Sequence, residues 1–150
     1  MADSVLIPQR LRWKVVSFPS TLFLGPVLEV LLREIPPDRR EDLRLGLQEA
    51  LVNAVHHGNG LAPQLTVQVR YARRGREHWW LIRDQGPDWQ CPDAKSSHMT
   101  LPEADAIDGR GLFLIREIFD QVLWLADSRE LALGIVLNHR PLFGLQLALQ

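Results

Sequence analysis

The sequence holds a single cysteine, Cys91. One thiol closes no internal disulfide and builds no cysteine-based zinc site, so a reducing, cytoplasmic setting is expected. Charge of one sign is also lacking. Seventeen Lys and Arg stand against 18 Asp and Glu, a formal net charge of -1. Direct nucleic-acid binding wants a basic excess, and an anionic membrane surface recruits polybasic segments; neither partner is expected here. No apolar run approaches the roughly 20 residues that span a bilayer. The opening MADSVLIPQR places acidic Asp3 ahead of a very short apolar stretch, which does not read as a secretory signal. Internal repeats and low-complexity tracts are absent as well.

What is present is the make-up of one folded domain. The chain has 150 residues, 46% apolar and 23% charged, enough for a real core and too apolar for a disordered chain. A single domain over 1–150 is expected, with its core over about 11–138.

The order of elements follows from periodicity and punctuation. Leu11, Trp13, Val15, Val16 and Phe18 suggest an opening strand, stopped by Pro19 and Ser20. Ser20 or Thr21 is the expected cap of a helix through Leu22, Leu24, Val27, Leu28 and Leu31, with Pro26 near its first turns. Pro36 and Pro37 end that segment. A long helix then runs from Asp38 to about His57, closed by Gly58 and Gly60. Leu65 to Tyr71 and His78 to Arg83 read as strands joined by the turn Arg73-Arg74-Gly75-Arg76. A stretch rich in Gly, Pro, Asp and Ser follows to about Asp108, the composition of a lid or binding loop. A helix from Gly111 to about Phe119 and strands at Val122–Ala126 and Leu131–Asn138 complete the chain. The order β-α-α-β-β-loop-α-β-β implies an α+β, two-layer sandwich: a mixed, mostly antiparallel sheet with helices on one face.

The long helix carries a chemical stripe. Glu49, Asn53 and His56 or His57 share one side, while Leu43, Leu47, Ala50, Leu51, Ala54 and Val55 share the other. The apolar side packs on the sheet. The polar side is either a solvated face or a place where an acid and an amide one turn apart position a metal ion, a water or a hydroxyl nucleophile. The paired histidines lack the further ligands that zinc needs.

Two glycine-bearing segments add to this. Asp84-Gln85-Gly86 follows an apolar, aromatic strand. It is either an ordinary turn or a carboxylate beside closely approachable backbone, suited to the amino group of a flat base. Gly109-Arg110-Gly111 opens a helix, where backbone N–H groups and the helix dipole favour phosphate. Neither a Rossmann fingerprint nor a Walker loop fits, because the βαβ context and the G-K-[ST] ending are both missing.

The order of the three segments is more specific than any of them. The pattern E-x-x-x-N-x-x-x-H-G, then D-x-G after a strand, then a loop, then G-x-G-L-x-x-I resembles the GHKL (histidine kinase-like) ATPase superfamily. The resemblance covers nearly the whole chain. The segments QEALVNAVHHGNG and GRGLFLIREIFDQV look like those of RsbW-type anti-sigma factor serine/threonine kinases. The resemblance implies ATP and Mg²⁺ as cofactors. Glu49 then matches the acid that activates or orients the attacking hydroxyl, and Asn53 the Mg²⁺ ligand. His57 and Gly58 match the end of that motif. Asp84 matches the acceptor for the adenine amino group, with Gly86 beside the base. Gly109 and Gly111 match the lid-end glycines at the phosphates, and Arg110 between them is a further phosphate contact.

The implied partners are an anti-anti-sigma antagonist, phosphorylated on Ser or Thr, and a sigma factor held when that antagonist is absent. The branch commonly dimerises through the sheet edge or opening strand, here the segment around Trp13. One departure stands out. The family reads D-x-G-x-G, but here Asp88 replaces the second glycine, a carboxylate that could crowd or repel the nucleotide phosphates. A non-catalytic partner-switching module with weak or absent nucleotide binding is therefore the alternative to a kinase.

Overall fold

A computed structural model describes residues 7–86 and 109–137. The opening strand β1 is Lys14–Pro19. Val16 and Phe18 turn toward the helices, while Val15 and Ser17 point to the other face. The expected helix cap at Ser20 or Thr21 is not what forms. Ser20 instead continues into the sheet region, its Oγ donating to the Leu65 carbonyl at 2.8 Å. Thr21 Oγ1 accepts the Phe23 N–H at 3.1 Å, a local turn rather than a helix start. Helix α1 therefore begins later, at Gly25–Leu31, with Leu24 as N-cap and Pro26 in its first turn.

Helix α2, Pro37–Val52, starts on a proline, as a residue with no N–H to satisfy can. The projected apolar side is the buried one: Leu43, Leu47, Ala50 and Leu51. Beyond Val52 the helix widens into a π-helical turn over Asn53–Gly58. The Asn59 N–H reaches back to the Ala54 carbonyl at 2.9 Å, the i→i−5 pattern. The expected helix to about His57 is thus one continuous rod whose last turn is wound differently.

Strands β2, Thr66–Arg74, and β3, Glu77–Arg83, form a hairpin. Gly75, at φ 61°, takes the first central position of its two-residue loop, where a left-handed backbone favours glycine. Helix α3 is Gly109–Ile118, β4 is Gln121–Leu125 and β5 is Glu130–Val136. The sheet order is β1-β2-β3-β5-β4, and all four pairings are antiparallel.

One face of the sheet carries Val67, Val69, Trp80, Ile82, Leu133 and Ile135 into the main core with all three helices. Trp80 also donates its indole N–H to the Leu31 carbonyl at 3.2 Å, tying the sheet to the end of α1. Its neighbour Trp79 points to the opposite face, as strand alternation requires, and packs there with Leu81 and Ala132. Ile7, Leu11 and Trp13 of the N-terminal segment lie against this second cluster.

Gly134 faces Trp79. A Cβ at 134 would sit 2.8–2.9 Å from three atoms of the indole, so glycine makes room for the ring. Gly46 does the same between helices, where a Cβ would meet Phe119 Cε2 at 2.7 Å. That close approach lets the end of α3 pack on the middle of α2. It places the start of α3 over the next two turns of α2, where the site lies.

Candidate functional site

The polar stripe of α2 meets the start of α3. A Cβ built on Gly111 would lie 2.9 Å from Glu49 Oε2 and 3.9 Å from Asn53 Nδ2. Glycine at 111 is thus what allows the α3 backbone to approach both side chains. Glu49 and Asn53 are half-buried, on the edge of the core rather than in open solvent. Gly109 and Arg110 open α3; the Arg110 side chain lies outside the described residues.

The second convergence is one turn further along. Gly58 is buried at the end of the π-helical turn, and a Cβ there would overlap the Asp84 carboxylate. Gly86 is equally close on its other side, where a Cβ would overlap the Gly58 carbonyl. Three residues from two separate segments, Gly58, Asp84 and Gly86, therefore form one small contact. The Gly86 N–H donates to Asp84 Oδ1 at 2.9 Å, and Arg129 Nη2 donates to the Gly86 carbonyl at 2.6 Å. Burial pushes the Asp84 carboxyl above its ordinary value, while the Gly86 N–H and the Arg129 charge pull it back.

Asn59 supports this arrangement, and its role was not visible in the sequence. It is 3% exposed. Its Nδ2 donates to Ser20 Oγ at 2.9 Å and to the Thr66 carbonyl at 3.0 Å, and its Oδ1 accepts the Gln85 N–H at 2.8 Å. Gln85 returns the favour by accepting the Thr66 N–H on Oε1 at 2.8 Å. The end of the π-helical turn, the start of β2 and the segment after β3 are thus pinned together by amides. An asparagine after a His-Gly pair reads as a turn residue, and only the long-range partners reveal what it holds.

Arg129 was also missed. It sits in the β4–β5 turn with a left-handed φ of 57°, an uncommon conformation for a residue with a side chain. Its sequence neighbour Glu130 likewise carries no sequence signal; it is buried and binds Arg70 through both oxygens, at 3.1 and 2.9 Å. Arg70 on β2 and Glu130 on β5 therefore form an ion pair that crosses β3.

Among the candidate site residues, Glu49, Asn53 and Gly111 come together, and so do Gly58, Asp84 and Gly86. His57 is exposed; its ring meets that of His56 edge-on at 4.6 Å. An α-helical projection brings His56 or His57 into line with Asn53, but the π-helical winding changes the angular step after Asn53. Asp88 and Cys91 lie outside the described residues.

The chemistry fits a nucleotide and its ion. Hard oxygen donors suit Mg²⁺, which commonly takes one or two protein ligands and completes its shell with phosphate oxygens and water. The bare backbone at Gly58, Gly86 and Gly111 leaves room where side chains would collide. Among the described residues no group of three or more His, Cys, Asp and Glu converges, so a dedicated protein cage for a metal is not what these residues build. No helix there is long and apolar enough to cross a membrane.

No curated protein matches the chain. The family model for the histidine kinase-like ATPase domain does, over residues 25–135. That span runs from the first residue of α1 to the last turn-in of β5 and contains every residue of both convergences. The chain belongs to the histidine kinase-like ATPase family, a family of ATP-binding domains.

Proposed function

We propose that this chain is an ATP- and Mg²⁺-dependent protein kinase that phosphorylates a serine or threonine of an anti-anti-sigma partner. It would hold a sigma factor when that partner is absent. The observation that carries the kinase reading is the approach of Glu49 and Asn53 to the glycine start of α3. An acid, an amide and the first turn of a helix backbone share one small space there.

The roles follow from the chemistry of each group. Asp84 accepts a hydrogen bond from the adenine amino group, and Gly86 gives the base room. Asn53 offers its carbonyl oxygen to Mg²⁺, which neutralises charge between the phosphates. Gly109 and Gly111 present backbone N–H groups to phosphate oxygens, with Arg110 as a further contact and His57-Gly58 closing the motif. Glu49 orients the partner's hydroxyl and accepts its proton. Phosphoryl transfer needs little else from a protein, since positioning and charge stabilisation supply most of the rate. The partner face of β1, an edge strand with Val15 54% exposed, is the proposed homodimer contact.

The test is transfer of labelled γ-phosphate from ATP to an antagonist domain. Glu49→Gln should lower the rate at least 100-fold while ATP binding persists. Absence of ATP binding at millimolar ATP and Mg²⁺ would refute the kinase.

A second reading rests on Asp88. If its carboxylate excludes the nucleotide, the chain acts as a partner-switching module through contact alone. Asp88→Gly should then create or strengthen ATP binding. Equal binding by wild type and variant removes that reading.

A further inference from the structure

The sheet face turned away from the helices holds a row of polar residues. Ser17 pairs with Gln68, Gln68 with Arg83, and Arg83 with Glu130. All four alternate outward, away from Glu49 and Asn53. At this end of the sheet the row borders a groove of about 450 Å³, with Thr66 and Arg129 also in its wall. That is within the roughly 300–1,000 Å³ typical of small-molecule sites.

The charge in this groove is unbalanced. Glu130 is the carboxylate of the row, but both its oxygens accept from Arg70. Its charge is therefore balanced by Arg70, and among the described residues no side chain hydrogen-bonds to the guanidinium of the neighbouring Arg83. Arg129 commits one N–H to the Gly86 carbonyl, and among the described residues the rest of its fork makes no hydrogen bond. Asp84 also borders the groove, but one carboxylate oxygen accepts the Gly86 N–H and the other is packed against Gly58 on the helix side. Two guanidinium groups, the Ser17 hydroxyl and the Gln68 amide remain as donors around one space. Planar forks with added hydroxyl and amide donors suit a tetrahedral oxyanion.

We propose that this groove, on the sheet face turned away from Glu49 and Asn53 and bordered at one end by Asp84, binds a phosphate or phosphomonoester, with Arg83 as its principal contact and Arg129 as its second. The inference goes beyond the kinase reading and does not depend on it. The phosphate can be a free anion or a phosphorylated side chain of a protein, and both present the same dianion.

The test is NMR titration of the ¹⁵N-labelled chain at constant ionic strength with three probes: inorganic phosphate, phosphoserine, and a phosphoserine peptide. Saturable shifts confined to the side-chain signals of Arg83, Arg129 and Gln68 and the backbone of 66–68 and 83–86 are expected. Arg83→Gln, an exposed position on a strand, should weaken binding at least tenfold with an unchanged thermal midpoint. Tighter binding of the peptide than of phosphate assigns the ligand to a protein; equal binding assigns it to a free anion. Shifts that rise linearly without saturation overturn the proposal, as do shifts that Arg83→Gln leaves unchanged. Phosphate shifts confined to the start of α3 and abolished by excess Mg-ADP also overturn it, since they place the anion in the nucleotide site. A chain that binds phosphate in the groove but never binds ATP would refute the kinase and leave this site standing.

Discussion

Replacing Asn59 with alanine cuts three hydrogen bonds, a buried one to Ser20 Oγ and part-buried ones to the Thr66 carbonyl and the Gln85 N–H. Each is worth about 1 kcal/mol net, and a partner left buried without a replacement adds to that. With Asn59 only 3% exposed, water cannot readily fill the gap. The expected loss is therefore about 3 kcal/mol, a large part of the 5–15 kcal/mol that ordinary domains possess. Urea unfolding followed by the fluorescence of the five tryptophans measures it directly. With a slope of roughly 1–3 kcal/mol/M, the midpoint should fall by about 1–3 M. Asn59→Asp is the sharper control. It keeps the oxygen that accepts from Gln85 but faces the Thr66 carbonyl with a second oxygen, so it should be no better than alanine. Both variants should also weaken ATP binding, because the segment that carries Asp84 and Gly86 loses its anchor. If Asn59→Ala stays within about 0.5 kcal/mol of wild type, the amide network does not organise this end of the sheet, and the account of the site is wrong.

Three further outcomes follow from the packing and the buried titrating groups. Gly134→Ala forces a methyl onto the Trp79 indole and should cost about 1–3 kcal/mol, read as a fall in thermal midpoint; no change would mean that the ring moves freely. His78 is 5% exposed and lies against Trp80, and burial first, then the Arg73 charge, lowers its pKa from 6.5 to about 4. The unfolded chain therefore takes up this proton before the folded one does. The stability is present above pH 6.5 and is lost as pH falls toward 4, by about 3 kcal/mol in all; His78→Gln should flatten that part of a stability–pH profile, and an unchanged slope would refute it. Asp84 has the opposite sign, since burial raises its pKa and the ionised form works against folding at neutral pH. Asp84→Asn should raise the thermal midpoint at pH 7 while weakening ATP binding at least tenfold, a trade of stability for function. A variant that is both less stable and fully competent to bind would contradict it.

Much of the fold is legible because the local signals agree with one another. Alternation in Val67, Val69 and Tyr71, the Gly75 turn and the aromatic run at Trp79-Trp80 all favour the same hairpin. The start of α1 is not legible, because Ser20 has two uses for its hydroxyl. As a cap it serves a neighbour in sequence; in the fold it serves Leu65, 45 residues away. The π-helical turn is equally hidden, since an i→i−5 bond leaves no periodic trace in a six-residue span.

The chain by itself determined which elements form, in what order, and which residue types sit at the ends of α2 and β3 and at the start of α3. Those are short-range matters of periodicity, caps and glycine. Tertiary structure alone decided that Glu49 meets Gly111, that Gly58 lies under Asp84, and that Glu130 turns to Arg70 across the sheet. The reason is physical. Such pairings depend on strand register and on how closely two backbones approach, and both are set by packing between segments far apart in sequence.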